Sequence, residues 1–366
     1  MKKLSSVFMF WALLICGLFA SNISAQFAST DFLVADFVGD RIAVYDQNLV
    51  FLRYLDTGFN EIAGLTLVSS NRVAAGGRNP GRIKVYDMAG TPLSDFSNVN
   101  IGAVSDLKSS GGSFLYSGTQ AAATAVTKFT ANGTFLNSIG SLGYGAVAVL
   151  PGDILWASTG GPSVDTFNHT TGAFIATIAF GNGQLLVDSM FYSPSTSTVL
   201  ITDSGTNTVF ERTTTGAFVR QFTGGAATLG VTRGPGGDVF ATALAATVHR
   251  WTSTGTYVGS TVIAGNVLEA RNIIWAGNLA PSAASVSISG RVTNANGRGI
   301  GKAIVSFADS NGAVRTSITN PFGYYQFDGV VAGNTYVFET RHKRYSFEPQ
   351  VVSVDSEITN LNFDAN

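Results

Sequence analysis

The sequence has 366 residues, of which only 12% are charged and 42 are glycine, and its formal net charge is −1. Nucleic-acid binding requires a clustered basic surface, so this balance predicts no nucleic-acid partner. Frequent glycine with few charged residues is typical of short neutral strands joined by tight turns. The length exceeds that of one ordinary domain and predicts at least two.

The first 25 residues have the pattern of a secretory signal peptide. Met1-Lys2-Lys3 is basic, residues 7–20 are apolar, and Ile23-Ser24-Ala25 ends in a small residue that suits cleavage. Because the apolar run is shorter than the ~20 residues of a spanning helix, we expect cleavage after Ala25, secretion, and no membrane span in the mature chain. Cys16, the only cysteine, lies in this segment. The mature protein is therefore expected to lack disulfides and cysteine-based metal sites or nucleophiles, which fits a secreted bacterial protein better than a disulfide-stapled animal one.

A β-rich phrase occurs six times in the middle of the chain. Each copy centres on one residue of its third strand, and successive copies are 38 to 45 residues apart. The central residues are Tyr45, Tyr86, Phe129, Phe167, Arg212 and Trp251. Repeats of this length, each divisible into four short strands, are typical of propeller blades. We therefore predict a six-bladed β-propeller over residues 26–278, in which the central side chains fill the space between blades.

The two ends of the repeat region predict how the ring closes. The first copy begins with second-strand residues at Asp31–Ala35, and no first strand precedes it. A lone strand, Asn272–Ala276, follows the last copy. Pairing the two segments would complete one blade from both ends of the region and would leave no free sheet edge.

The pattern changes after a small-residue linker at residues 279–285. Residues 286–366 contain seven alternating strands separated by glycine and asparagine turns, which predicts a seven-stranded β-sandwich. The whole mature chain is therefore expected to be all-β, with a propeller followed by a separate sandwich domain.

Short motifs in both regions resemble known families. Residues 26–278 resemble the NHL and SMP-30-like six-bladed propellers, through third strands such as Tyr86-Asp87 and glycine-aromatic fourth strands such as Gly172-Ala-Phe174. Residues 286–366 look like a carboxypeptidase regulatory-like domain, a transthyretin-like (prealbumin-like) sandwich, through Ser289-Gly-Arg-Val292 and Thr319-Asn-Pro-Phe-Gly323. In that family the domain is an accessory without catalytic residues.

Propeller ligands usually bind at the mouth of the central channel, where the first strands of the blades begin. The candidate ligand-binding residues at or just before these strands are Glu61, Asp106, Asp188, Glu269 and Asn272, with Arg271 beside them. The SMP-30-like resemblance implies a divalent metal held there by a Glu with Asn and Asp residues, the Glu being Glu61 or Glu269. The residues around both glutamates depart from that motif, so we predict no metal and no cofactor.

Catalytic residues are not predicted elsewhere in the chain. His169, His249 and His342 are scattered, and no Gly-x-Ser-x-Gly elbow accompanies a usable histidine. Three functions stay open. The first is a secreted, non-enzymatic binding or scaffold protein whose propeller face contacts a glycan or a cell-surface protein, with the sandwich as an accessory module. The second is a metal-dependent lactonase of the SMP-30-like kind, and the third is a purely structural surface protein.

Overall fold

The computed structural model describes residues 27–69, 72–87, 90–97, 100–110, 114–119, 125–226, 228–278, 285–308, 314–331, 334–354 and 357–365. The predicted signal peptide (1–25) and nearly all of the predicted linker (279–285) lie outside these ranges. Within them the regular elements are β-strands and two short 3₁₀ turns, Pro235–Gly237 and Ala276–Asn278. The described chain is therefore all-β, as the sequence predicts. No helix in these ranges is long and apolar enough to cross a membrane.

The first structural unit consists of short antiparallel strands. Their bounds are β1 (Phe32–Asp36), β2 (Arg41–Tyr45), β3 (Phe51–Asp56), β4 (Ile62–Ser69), β5 (Arg72–Gly77), β6 (Arg82–Asp87), β7 (Pro92–Ser97), β8 (Val104–Ser110), β9 (Phe114–Thr119), β10 (Val126–Thr130), β11 (Phe135–Ile139), β12 (Ala146–Leu150), β13 (Ile154–Ser158), β14 (Ser163–Asn168), β15 (Phe174–Ala179), β16 (Ser189–Ser193), β17 (Thr198–Asp203), β18 (Thr208–Thr213), β19 (Phe218–Phe222), β20 (Thr228–Arg233), β21 (Val239–Ala243), β22 (Thr247–Trp251), β23 (Tyr257–Val262) and β24 (Ala270–Trp275).

These strands form four-stranded sheets. Sheet 1 has the order β24-β1-β2-β3, and each following sheet takes four consecutive strands: β4 to β7 (sheet 2), β8 to β11 (sheet 3), β12 to β15 (sheet 4), β16 to β19 (sheet 5) and β20 to β23 (sheet 6). The first strand of each sheet contacts the first strand of the next, in the cycle β24, β4, β8, β12, β16, β20 and back to β24. The first strands therefore surround a central axis.

Sheet 1 joins the two ends of this unit. Strand β24 pairs antiparallel with β1, with Phe32 opposite Trp275 and Val34 opposite Ile273. The Asp36 carboxylate reinforces the junction, because its Oδ1 accepts hydrogen bonds from the backbone N–H groups of Leu268 and Glu269, both at 3.0 Å. The pairing predicted from the lone C-terminal strand is confirmed.

The glycine-aromatic motif lies at the turn between third and fourth strands. Gly172 and Gly216 have φ values of +78° and +89°, a conformation that a side chain disfavours. In the second of these turns the N–H of Gly216 donates to the carbonyl of Thr213 at 2.9 Å. Glycine is needed here to reverse the chain before the aromatic residue that opens the fourth strand.

Side chains of the second and third strands fill the space between adjacent sheets. The small second-strand residues are fully buried: Ala35, Ala75, Ser117, Ala157, Thr202 and Thr242. Tyr86 of sheet 2 is buried and donates its hydroxyl hydrogen bond to Asp56 of sheet 1 at 2.6 Å. Arg212, the non-aromatic member of the series, is also buried and places its guanidinium 4.3 Å from the centroid of the Phe180 ring. The predicted inter-sheet packing is thus present, including that of Arg212.

Two histidines of this unit bond to tyrosine hydroxyls: His249 is buried on β22, and His169 is half-buried in the turn after β14, with its Nε2 3.5 Å from Oδ1 of Asp153. His169 has its Nδ1 at 2.9 Å from the Tyr116 hydroxyl, and His249 has its Nδ1 at 2.9 Å from the Tyr257 hydroxyl. The Nε2 of His249 accepts a hydrogen bond from the backbone N–H of Ala226 at 3.3 Å, a role that only the neutral ring can fill. Burial lowers the pKa of His169 and of His249 below the ordinary value. The hydrogen bond from Ala226 therefore requires the neutral form of His249, while at His169 the charge of Asp153 opposes the effect of burial.

These lowered pKa values predict that acid weakens the fold. The two histidines take up protons near pH 6.5 in the unfolded chain and only at lower pH in the folded chain, so their contribution to the free energy of unfolding should fall as pH drops below about 6.5. The measurement is the urea midpoint at pH 7.5 and at pH 5.5. A His169→Gln/His249→Gln double variant should lose less stability over this interval than the wild type. Equal losses in the wild type and the double variant would refute the assignment.

The C-terminal unit contains seven strands among its described residues. They are β25 (Ser285–Thr293), β26 (Ile304–Ala308), β27 (Val314–Ile318), β28 (Tyr324–Val331), β29 (Asn334–Arg341), β30 (Gln350–Val354) and β31 (Phe363–Asp364). Sheet 7 has the order β28-β25-β31, and sheet 8 has the order β27-β26-β29-β30. Phe307, Phe327 and Phe338 lie in the buried core that both sheets share. The predicted seven strands are present, and the first of them begins at Ser285.

Candidate channel-mouth site

The first strands of the cycle begin at the same end of the unit as the turns between second and third strands. Asp36, the last residue of β1, lies opposite Ala270 at the start of β24, and Gly77, the last residue of β5, lies opposite Ile62 at the start of β4. The turns after β1 and β5 therefore stand beside the segments that lead into the first strands. We call this end of the unit the mouth.

A phenylalanine between two arginines occupies one side of the mouth. Phe37 follows β1, and its N–H donates to the carbonyl of Glu269 at 2.9 Å. The guanidinium carbon of Arg271 lies 4.9 Å from the centroid of the Phe37 ring, and that of Arg78 lies 5.3 Å from it. Such contacts hold an arginine by the attraction between its charge and the ring face. All three side chains are partly exposed.

Two glutamates accompany the arginines. Glu269 Oε1 lies 3.5 Å from Nη1 of Arg271, and the backbone carbonyl of Glu61 accepts the N–H of Arg78 at 3.1 Å. Burial and the like charge of Arg271 lower the pKa of Arg78, while the negative charges of Glu61 and Glu269 oppose this effect. We call Phe37, Glu61, Arg78, Glu269 and Arg271 the mouth cluster. It brings together two of the five predicted residues.

Asp188, a third predicted residue, lies at the mouth on sheet 5. Its Oδ2 accepts the N–H of Ser204 at 2.6 Å. Burial raises the pKa of Asp188, and the positive charge of Arg271 acts in the opposite direction. Arg271 therefore lies within electrostatic reach of carboxylates on both sides of the mouth.

The other two predicted residues join neighbouring first strands instead. Asp106 is 1% exposed, and its oxygens accept the N–H of Leu107 at 2.9 Å and that of Val147 in the next sheet at 3.1 Å, besides a hydrogen bond from Lys108. Burial raises the pKa of Asp106. Asn272 is 5% exposed and donates from Nδ2 to the carbonyl of Ala63 at 3.5 Å. Both side chains are inter-sheet contacts, and neither is available to a ligand in this structure.

The sequence prediction missed Phe37 and Arg78 because it considered only the first strands. The sequence does contain a signal for these turns, which is an aspartate at the end of a second strand. Asp36 binds the loop before β24, and Asp203 binds the loop before β16 in the same way, accepting the N–H of Leu185 at 2.7 Å. An aspartate at this position thus marks a turn held against the mouth.

The mouth cluster offers the N–H donors of two guanidinium groups and the oxygen acceptors of two carboxylates beside a partly exposed aromatic ring. Guanidinium and carboxylate groups suit a polar ligand that both donates and accepts hydrogen bonds. In the described ranges, no three His, Cys, Asp or Glu side chains are grouped closely enough to hold a metal ion.

Comparison with known proteins supports the fold of both units. Residues 287–366 match the family model of the carboxypeptidase regulatory-like domain. A chain in the crystal structure of a nidogen/laminin complex is similar with a TM-score of 0.56 and 12% identity, covering 67% of this chain and 97% of that one. The Cps50 (Swd1) β-propeller domain of Myceliophteria thermophila is similar with a TM-score of 0.50 and 11% identity, covering 81% of this chain and 96% of that one. No curated protein matches the chain significantly. The chain thus combines a β-propeller-like fold with a C-terminal carboxypeptidase regulatory-like domain.

Proposed function

We propose that this protein is a secreted, non-enzymatic binding protein whose propeller mouth takes a glycan or the glycan part of a cell surface. In this proposal residues 1–25 direct secretion and are removed. The cycle of six sheets is a six-bladed propeller of the NHL and SMP-30-like kind, and the carboxypeptidase regulatory-like domain is an accessory module.

The observation that carries the proposal is the mouth cluster. Residues from sheets 1 and 2 place two guanidinium groups against one partly exposed ring, and the carboxylates of Glu61 and Glu269 lie near enough to act on the charge of Arg78. Sugar hydroxyls donate and accept hydrogen bonds at once, so such a mixed set of charged groups suits them better than it suits a ligand of one charge sign. Because both arginines are held against Phe37, little side-chain freedom remains to be lost on binding.

Binding of the full-length protein to isolated bacterial cell-envelope material tests the proposal. An Arg78→Ala/Arg271→Ala double variant should bind at least about tenfold more weakly, since each lost charged hydrogen bond is worth about 1.5–3 kcal/mol. The matched control is Arg82→Ala/Arg250→Ala, which removes the same charge from pairs with Asp95 and Asp238. Equal affinity of the two double variants would refute binding at the mouth.

The lactonase alternative gives a separate prediction. We expect no stoichiometric divalent metal in protein purified without chelator and no lactone or ester turnover above buffer, because a hard cation needs several converging oxygen ligands. Metal analysis by mass spectrometry and a lactone hydrolysis assay measure both quantities. One metal ion per chain, with turnover abolished by Asp188→Ala, would favour the enzyme.

A further inference from the structure

The C-terminal unit carries a second surface that the proposed function leaves unused. Two aromatic side chains close together in the sequence are strongly exposed, Phe322 at 69% and Tyr324 at 53%. Beside Tyr324 lies an open depression of about 410 Å³, lined by Arg291, Thr293, Gly297, Tyr324, Asn362 and Asp364. This volume falls within the roughly 300–1,000 Å³ of small-molecule sites. Exposed aromatic groups bordered by polar side chains commonly mark interaction surfaces.

The turn that bears the two aromatic residues is held in place. The Asn320 side-chain oxygen accepts the N–H groups of Phe322 at 2.9 Å and of Tyr324 at 3.0 Å. Gly323, between them, has a φ of +89°, and a side chain there would meet the carbonyl oxygen of Val292 at 2.4 Å. The aromatic rings are therefore presented on a fixed backbone.

Arg291 links this turn to the depression. Its Nε donates to the carbonyl of Phe322 at 3.0 Å, and its guanidinium carbon lies 5.2 Å from the centroid of the Tyr324 ring. Its backbone N–H donates to Oδ1 of Asn362 at 2.9 Å. Thr293 lies on the same strand as Arg291, and its hydroxyl donates to Oδ1 of Asp364 on β31. The surface thus combines a cation, a carboxylate, an amide and a hydroxyl beside the Tyr324 ring, with Phe322 two residues away in the same turn.

The chemistry of this surface selects one class of ligand. One arginine and one aspartate leave the depression with no excess charge, so a phosphate or an anionic membrane surface would gain little there. An apolar ring face beside mixed donors and acceptors matches a pyranose ring, which has an apolar C–H face and a rim of hydroxyl groups. We propose that Phe322, Tyr324, Arg291, Asn362 and Asp364 form an oligosaccharide-binding site on the C-terminal domain, distinct from the propeller mouth.

An oligosaccharide array tests this site with the full-length protein. The probes are cellulose, chitin, xylan and pectin oligomers and peptidoglycan fragments. A Phe322→Ala/Tyr324→Ala variant should bind its best probe at least about tenfold more weakly than the wild type. The matched control is Phe174→Ala, which removes a ring of 59% exposure from β15 of the propeller and should leave binding unchanged.

Two further variants keep the outcome decisive. Asp364→Ala leaves the aromatic turn intact and should also weaken binding, so a folding defect of the aromatic variant cannot hide the result. The mouth variant Arg78→Ala/Arg271→Ala should retain the probe bound at this site. Absence of binding to every probe, or undiminished binding by both the aromatic variant and Asp364→Ala, would overturn the site. Loss of probe binding only in the mouth variant would also overturn it, while leaving the proposed mouth function standing.

Discussion

Deletion of residues 271–278 is expected to abolish the cooperative unfolding of the sheet cycle. Strand β24 supplies the first strand of sheet 1 and contacts β4 and β20 on its two sides. Ile273 and Ile274 are 0% and 7% exposed, and burial of each such side chain contributes about 1.5–3 kcal/mol. The deletion also removes the backbone partners of β1. Because a domain has typically ~5–15 kcal/mol of net stability, the cycle should not survive this loss.

A single substitution tests the same junction more gently. Ile273→Ala should lower the free energy of unfolding by about 2–5 kcal/mol, the usual cost of such a cavity in a packed core. The matched control is Val262→Ala on β23, where the side chain is 71% exposed and a change should cost little. Thermal and urea unfolding give both values. Two results would show that β24 does not close the cycle. One is a deletion variant that melts like the wild type, and the other is an equal loss in the free energy of unfolding for the two substitutions.

Replacement of Glu211 by alanine is expected to destabilise the unit by about 3–5 kcal/mol, because it leaves a buried arginine without its counter-charge. The Glu211 and Arg233 side chains are 1% and 4% exposed, and Nη2 of Arg233 donates to Oε1 of Glu211. The same oxygen accepts the Thr198 hydroxyl at 2.6 Å, and Nε of Arg220 lies 3.0 Å from Oε2. This buried network joins sheet 5 to β20 of sheet 6.

An exposed ion pair provides the control for Glu211. Arg82 and Asp95 are 38% and 37% exposed, and exposed pairs contribute only about 0–1 kcal/mol. Asp95→Ala should therefore change the urea midpoint far less than Glu211→Ala does. The double variant Glu211→Ala/Arg233→Ala should recover part of the loss, since it removes the unpaired charge. A cost for Glu211→Ala similar to that of Asp95→Ala would contradict a buried network.

The strand pattern could be predicted from the sequence because its causes are local. Alternating apolar residues between glycine and asparagine turns predicted the seven strands of the C-terminal unit, which the structure contains. The lone apolar segment near residue 273 predicted the pairing of β24 with β1, because an unpaired apolar strand needs a partner.

The direction of side chains at the mouth could not be predicted from the sequence in the same way. Each first strand of the cycle packs between the first strands of two adjoining sheets. The alternation of apolar and polar residues along it therefore does not show which polar side chain faces an adjoining strand. Asp106 and Asn272 face the adjoining first strands, whereas Glu269 lies beside Arg271 at the mouth. Arg78 and Phe37 come from turns of different sheets, and only the closed cycle of sheets brings them into contact. Such a contact has no local signature in the sequence.

The measurement that tests the proposed function most directly is hydrogen exchange of the full-length protein with and without isolated bacterial cell-envelope glycan. Binding at the mouth predicts slower amide exchange on glycan addition in residues 37–40, 57–61, 78–81 and 263–271. Strand β15 is exposed and forms the edge of sheet 4 opposite to β12. Its amides should therefore exchange at an unchanged rate. Unchanged exchange in all four mouth segments at saturating glycan would contradict binding at the propeller mouth.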